Sequence, residues 1–295
     1  MEEKGLSKQQ KIWINAGVFW YAVRPMLLYL LLPPAISTAA MFIYGMKEQS
    51  RYFILTSGQF YHTLGIAVTF YLLYRRCRKR KTTIWEETTM YWRQVNIPRA
   101  LLLAGCGAGF SLFMSALLTV VPFPQFLKGP YHEMSSQIYG ATDTALAALS
   151  VMVLAPVVEE IIFRGYVLDR MLKGYRNERT AVLLTTALFA LCHGSLLWII
   201  YAMFMGLLMA HVAIVEDNTA YAVALHMGYN GLTLPLWLAN NSPEVSAVLF
   251  ASPVLIAVYG AIGLAGALLC LRRYPMSLRS LKKYLWSGEG KKCEA

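Results

Sequence analysis

The chain has 295 residues, of which 57% are hydrophobic and 15% are charged, and its mean hydropathy is +0.46. Soluble domains carry about 25% charged residues, so this composition excludes an ordinary soluble enzyme. The aromatic share of 13% excludes a disordered chain. The net charge is +11, and its meaning depends on where the basic residues lie.

Stretches without charged residues predict where the chain crosses a membrane, because a bilayer core of about 30 Å needs about 20 apolar residues in a helix. The uncharged stretches, in chain order, are 25–46, 52–74, 100–121, 180–215, 218–243 and 245–271. One further stretch, 144–163, spans only if it carries Glu159 and Glu160 inside the membrane. Counting 180–215 as a hairpin of two helices, we predict eight spans.

The distribution of basic residues predicts the orientation. With the N-terminus inside, 24 of the 27 Lys and Arg residues fall in inner segments, and only Lys47, Arg51 and Lys128 fall outside. This asymmetry follows the positive-inside rule and predicts that both termini are cytosolic. The positive charge then reflects topology and contact with anionic lipid, without a nucleic-acid partner. We expect a single all-α polytopic membrane domain over 1–295, and the short polar tails favour a bacterial cell membrane.

Two adjacent carboxylates in stretch 144–163 are candidate functional groups, because ionisable side chains inside a bilayer are costly. Glu160 and Arg164 are four residues apart and share a helix face, which predicts an ion pair. Glu159 points about 100° away from this pair, so it is the candidate general base. The alternative is a helix end in the headgroup region that carries a structural ion pair.

Polar residues on two later stretches extend this candidate site. His193 follows Phe189 by four residues, and Asn230 follows His226 by four, so each pair shares a helix face. The alternative for a lone histidine or a His–Asn pair in a membrane is a non-catalytic role, as a group that makes hydrogen bonds between helices. Together with a glutamate base, however, they supply an orienting group and oxyanion donors. Other polar residues are interpreted as packing, as structural or as outside the motifs: Cys192, His211, His62 and Asp143.

Three motifs in this order, Glu-Glu-x-x-x-Arg, Phe-x-x-x-His and His-x-x-x-Asn, resemble those of the CAAX-protease and bacteriocin-processing (CPBP, Ras-converting) family of intramembrane proteases. The motifs span 159–230, so the family-like catalytic region covers about 144–240, and 1–140 contribute hydropathy only. The resemblance implies that Glu159 activates the hydrolytic water and that His193 helps to hold it. It implies that the His–Asn pair stabilises the oxyanion and that the Glu–Arg pair braces the site. The implied catalytic residues are Glu159, Glu160, Arg164, His193, His226 and Asn230.

Cofactor, partner and function follow from the same resemblance. Two histidines and one glutamate also suit zinc. The His-Glu-x-x-His motif is absent and the ligands would come from three helices, so we favour a glutamate-dependent endopeptidase without metal or cofactor. The expected partners are the lipid bilayer and a membrane-associated peptide or protein, prenylated if it is a CAAX protein. The alternative is a non-catalytic membrane protein of the same fold, for bacteriocin immunity or proton-coupled transport, but the intact motifs favour the peptidase.

The predicted spans also pose a geometric problem. If the fifth span begins at Thr180, His193 lies about 20 Å from the inner surface, whereas Glu159 lies only a few residues inside it. The two side chains can meet if the fourth helix extends toward Arg170 and the fifth begins in the 170s.

Overall fold

The fold is a bundle of helices, which confirms the all-α prediction. The computed structural model describes residues 8–44, 58–139, 144–175 and 177–273. A short 3₁₀ turn, Trp92–Gln94, precedes α4. The helices are α1 (Lys8–Tyr44), α2 (Gly58–Lys79), α3 (Ile84–Glu87), α4 (Ile97–Val120), α5 (Gln125–Tyr139), α6 (144–175), α7 (Glu178–Leu191), α8 (Leu196–Glu216), α9 (Thr219–Asn241), α10 (Pro243–Leu249) and α11 (Pro253–Arg273).

Capping side chains fix where several of these helices begin. In each case a side-chain oxygen accepts a hydrogen bond from a backbone N–H of the first turn, which a helix start otherwise leaves without a partner. The α7–α8 turn, 192–195, ends on such a cap, so the stretch 180–215 forms two helices joined by a short turn, whereas its two membrane spans stay a prediction. The capping residues of α4, α7, α8 and α9 are Asn96, Asn177, Ser195 and Asn218.

The helix α6 alternates between α-helical and π-helical turns. Ser150–Leu154 and Ile161–Leu168 are π-helical, and they flank the α-helical turn Ala155–Glu160. Wide π-helical turns are rare and often occur at functional sites, because they change the direction in which neighbouring side chains point. The helix continues to Tyr175, well beyond the end expected for the fourth span.

Close backbone contact between α4 and α9 sets the position of α9. The helix α4 packs along both α9 and α11, while α1 packs on α2 and α6. A Cβ on Gly107 would collide with the backbone oxygen of Leu225, and one on Gly228 would collide with the backbone of Ala104. Small residues let helices in membranes approach this closely. Gly228 lies between His226 and Asn230, so this contact also fixes the depth of the His–Asn pair.

Four helices of the described residues are long and apolar enough to cross a membrane by length and composition. The helix α7 has 14 residues, about 21 Å of helix, and is too short to cross a core of about 30 Å by itself. The count of eight spans therefore stays a prediction, as do the cytosolic termini, which lie outside the described residues. The four candidate spans are Ile14–Ala40, Ile97–Val120, Leu196–Glu216 and Pro253–Arg272.

We expect Gly228→Ala to lower the free energy of unfolding by about 1–3 kcal/mol, because the added methyl group forces α9 away from α4. The matched control is Gly266→Ala on α11, where a Cβ meets no described atom within 4 Å. Alanine there favours the helix, so its stability should be equal or slightly higher. Thermal unfolding in detergent measures both variants, and equal melting temperatures for the two would contradict the close α4–α9 contact.

Candidate active site

Glu160 forms a buried ion pair with Arg164, as their spacing predicts. The Arg164 Nη1 donates to Glu160 Oε1 at 2.8 Å, and neither side chain is exposed. The Arg164 Nη2 also donates to the carbonyl of Gly206 on α8 at 3.1 Å. The guanidinium lies 4.4 Å from the ring centroid of Phe189 on α7. One ion pair on α6 therefore also holds α7 and α8.

His226 brings α9 to the same carboxylate. Its Nδ1 lies 2.8 Å from Glu160 Oε1, the oxygen that also accepts from Arg164. Because a carboxylate oxygen accepts, Nδ1 carries the hydrogen and Nε2 is directed elsewhere. The Nε2 atom lies 3.9 Å from Glu159 Oε2, beyond hydrogen-bonding distance. The imidazole thus lies between the two carboxylates, bonded to Glu160 and close to Glu159 without a hydrogen bond to it.

His193 lies in the turn after α7, where its ring is fixed from one side. Its Nδ1 is 2.8 Å from the carbonyl of Phe189, so Nδ1 donates and a neutral Nε2 is left as an acceptor. The two rings are in edge contact, with centroids 4.7 Å apart. This confirms that Phe189 and His193 share one face of the chain.

Asn230 completes a backbone hydrogen bond that proline interrupts in α6. In a π-helical turn the carbonyl of Val151 would accept from the backbone N–H of residue 156, but Pro156 has none. The Nδ2 atom of Asn230 donates to this carbonyl instead, at 3.0 Å. An amide nitrogen carries two hydrogens, so one remains for another acceptor.

A cavity of about 400 Å³ lies between these helices and connects the site residues. Glu159, His193, His226 and Asn230 line it, together with Tyr29 and several large apolar side chains. Glu160 and Arg164 are not part of this wall and lie behind it, in contact with His226. The structure therefore brings all six predicted residues into one site, four at the cavity and two supporting them.

The depth problem posed by the sequence is solved by the lengths of two helices. The helix α6 extends 16 residues beyond Glu159, to Tyr175, and α7 begins at Glu178 and ends after 14 residues. The turn that follows places His193 at the cavity, facing the same space as Glu159.

Tyr29 on α1 is a site residue that sequence reasoning missed. Its hydroxyl donates to Glu159 Oε1 at 2.8 Å, across 130 residues of chain. Tyrosine within an apolar stretch is unremarkable by hydropathy, and no local spacing connects it with α6. The one available signal was chemical, since a buried tyrosine hydroxyl needs a polar partner.

The remaining polar residues lie outside the site or at its edge. Cys192 lines the cavity, and its thiol donates to the carbonyl of Leu188 at 3.1 Å. His211 is buried on α8 and does not line the cavity. Asp143 and the side chain of His62 lie outside what the structure describes.

Three groups at the cavity are chemically able to ligate a metal ion. The groups that could turn to a metal ion are the Nε2 atoms of His193 and His226 and the carboxylate of Glu159. In the part of the chain that the structure describes, no three His, Cys, Asp or Glu side chains are arranged to hold an ion.

The fold and site define a helical membrane protein with a carboxylate and two imidazoles at a cavity inside the bundle. Residues 141–232 match the sequence model of the family described as type II CAAX prenyl endopeptidase Rce1-like. The matched range contains the six motif residues, whereas Tyr29 lies outside it. No curated protein and no solved structure matches the chain.

We expect Glu160→Gln to lower the free energy of unfolding by about 3–5 kcal/mol, because it leaves the Arg164 guanidinium buried without its counter-ion. The matched control, Asp169→Asn, lies on the same helix and breaks the i,i+4 pair with Lys173, whose side chain is 75% exposed. Asp169→Asn should lower the free energy of unfolding by less than about 1 kcal/mol. Thermal unfolding compares the two, and a similar loss in both would show that the buried pair is no more important than the exposed one.

Proposed function

We propose that the protein is an intramembrane endopeptidase that hydrolyses a peptide bond in a membrane-associated substrate. One observation carries this proposal: of two adjacent carboxylates, Glu160 lies behind the cavity wall and is bonded through Oε1 to Arg164 and His226, while Glu159 faces the cavity. A carboxylate at a cavity wall can take a proton from a water molecule, which is the work of a general base. The match to a CAAX prenyl endopeptidase family supports this reaction class.

The contacts of Glu159 and His193 support a division of work around one water molecule. Tyr29 occupies Glu159 Oε1, which leaves Oε2 as the acceptor for a water proton. The Nε2 of a neutral His193 accepts the second hydrogen of the same water. With both hydrogens held, the oxygen lone pair of the water points toward a substrate carbonyl carbon.

The proton and electron balance of hydrolysis follows from these positions. As the water oxygen bonds to the carbonyl carbon, one water proton passes to Glu159 and the carbonyl electron pair becomes an oxyanion. Collapse of this intermediate breaks the C–N bond, and Glu159 returns the proton to the departing nitrogen. The products are a carboxylic acid and an amine, and no further reactant is needed.

Donors for the oxyanion come from α9. The second amide hydrogen of Asn230 is one, since the first is used by Val151. His226 is the other if Nε2 carries a hydrogen while Nδ1 donates to Glu160. Hydrogen-bond donors placed in this way stabilise an oxyanion most strongly where water is excluded.

The substrate we propose is a peptide close to the membrane, a prenylated CAAX sequence being the first candidate by family. The cavity walls that surround the polar groups are large apolar side chains, which suit a lipid-bearing or apolar peptide. The walls include Leu30, Ile138, Phe163, Phe189, Trp198, Met205 and Met209.

In purified protein, we expect Glu159→Ala to reduce cleavage by about 10²–10⁴-fold, because the general base is removed. His193→Ala should abolish cleavage as well. Asn230→Ala should leave a measurable rate, since His226 still donates to the oxyanion. Cleavage of a prenylated CAAX peptide and of a mixed pool of membrane peptides, each with and without a zinc chelator, measures these effects.

The matched control is Glu244→Ala, which removes an exposed carboxylate on α10. Wild-type rates from Glu159→Ala would refute the mechanism. Loss of wild-type cleavage under the chelator would replace it with zinc-dependent hydrolysis. No cleavage by either protein would favour the non-catalytic alternative, for immunity or proton-coupled transport.

We expect Tyr29→Phe to lower kcat by about 3- to 10-fold with little change in KM, because one hydrogen bond to the base is lost. Loss of the donor leaves the Glu159 carboxylate less firmly oriented toward the water, so the effect should appear in the chemical step and not in substrate binding. The control is Tyr175→Phe, whose hydroxyl donates to the carbonyl of Asn15 at 3.2 Å and likewise ties α1 to α6, away from Glu159. An equal loss of kcat in both variants would mean that Tyr29 only helps to dock α1.

A further inference from the structure

Two adjacent prolines of α1 lie at the wall of the active-site cavity. Pro33 and Pro34 lie inside the helix, and both line the cavity together with Tyr29 and Leu30. Tyr29, one residue before Leu30, contacts Glu159 through its hydroxyl. The proline pair therefore lies beside the residues that would perform the chemistry.

The proline pair removes the helical hydrogen-bond donors for one carbonyl of this wall. In a helix, a carbonyl accepts from the backbone N–H four residues later, or three residues later in a tighter turn. For Leu30 these residues are Pro34 and Pro33, and proline has no N–H. Inside a membrane a carbonyl without a donor is costly, so such groups are tolerated where another group or a polar cavity serves them.

Two other carbonyls that proline releases show how this protein meets the requirement. Pro25 releases the carbonyl of Tyr21, and the Arg170 Nη1 donates to it at 2.9 Å. The Val151 carbonyl, released by Pro156, receives Asn230 at 3.0 Å. In both places a side chain from another helix supplies the donor. Beside Leu30 lies the cavity instead.

We propose that the carbonyl of Leu30 binds a backbone N–H of the substrate peptide and holds it beside Glu159. This rests on the proposed function and adds a substrate-positioning contact on α1. A main-chain contact of this kind does not depend on substrate side chains, so it aligns the peptide without selecting its sequence. The ligand class is a peptide in extended form with a free amide N–H near the bond to be cleaved.

The test uses Pro34→Ala, because the new N–H at position 34 takes the Leu30 carbonyl in an ordinary helical bond. Pro34 is exposed, whereas the Pro33 ring packs where a Cβ on Gly65 would lie, so Pro33 is left unchanged. The probes are a fluorescent prenylated CAAX peptide and analogues with one backbone amide N-methylated in turn. Binding is measured by anisotropy in detergent, in a Glu159→Ala background that does not cut the probe.

We expect one N-methylated analogue to bind the parent protein about 3- to 10-fold more weakly than the unmodified peptide, as loss of one hydrogen bond predicts. Pro34→Ala should weaken binding of the unmodified peptide by the same factor. The same N-methyl group should then have no further effect. Pro130→Ala, which changes an exposed proline within α5, should bind every analogue as the parent does.

The inference is overturned if each N-methyl effect is the same with and without Pro34→Ala, if no methylated position matters, or if the parent binds no peptide. Cleavage by the protein with Glu159 intact separates this result from the proposed function. Cleavage without the N-methyl coupling removes the Leu30 contact and leaves the peptidase. Coupling without cleavage establishes the peptide site and removes the hydrolytic function.

Discussion

The carboxylate oxygen Oε1 of Glu160 is the point on which the site depends. It accepts from Arg164 on its own helix and from His226 on α9, both at 2.8 Å. Moving a carboxylate and a guanidinium out of water costs several kcal/mol per ion, so the pair is stable there only with good geometry and additional hydrogen bonds. The carbonyl of Gly206 and the ring of Phe189 supply further contacts to the guanidinium. Four helices are thereby held around one buried charge pair, and Glu159 is left for the cavity.

The need to provide every buried carbonyl with a hydrogen-bond donor also explains the contact between Asn230 and α6. A helix inside a bilayer has no water for backbone groups that lose their partners, so each break in the hydrogen-bond ladder needs a substitute. The π-helical turn before Pro156 breaks the ladder at Val151, and Asn230 repairs it. If Asn230 made no hydrogen bond other than the proposed one to the oxyanion, its side chain would be free to rotate before substrate binds. Tied to α6 by one hydrogen, it presents the other in a fixed direction.

Local spacing in the sequence predicted those parts of the site that lie on one helix. The Glu160–Arg164 pair and the shared face of Phe189 and His193 follow from separations of four residues, and the structure shows both. The predicted stretch 100–121 agrees closely with α4, Ile97–Val120. Asn96 caps the start of this helix, and prolines follow its end. Contacts between helices were beyond this reasoning. That Glu160 meets His226 depends on where Gly228 seats α9 against α4, and no periodicity encodes that crossing.

Tyr29 shows why the site extends beyond the residues that match the family. Motifs within 141–232 supply Glu159, the two imidazoles and the Glu160–Arg164 pair, yet the hydroxyl that donates to Glu159 belongs to α1. Two further bonds seat α1 on α6, from Arg170 to the carbonyl of Tyr21 and from Tyr175 to that of Asn15. Both lie on the part of α6 beyond Glu159. The long extension of α6 therefore has a second consequence besides aligning α7: it provides the surface that holds Tyr29 and Leu30 at the cavity.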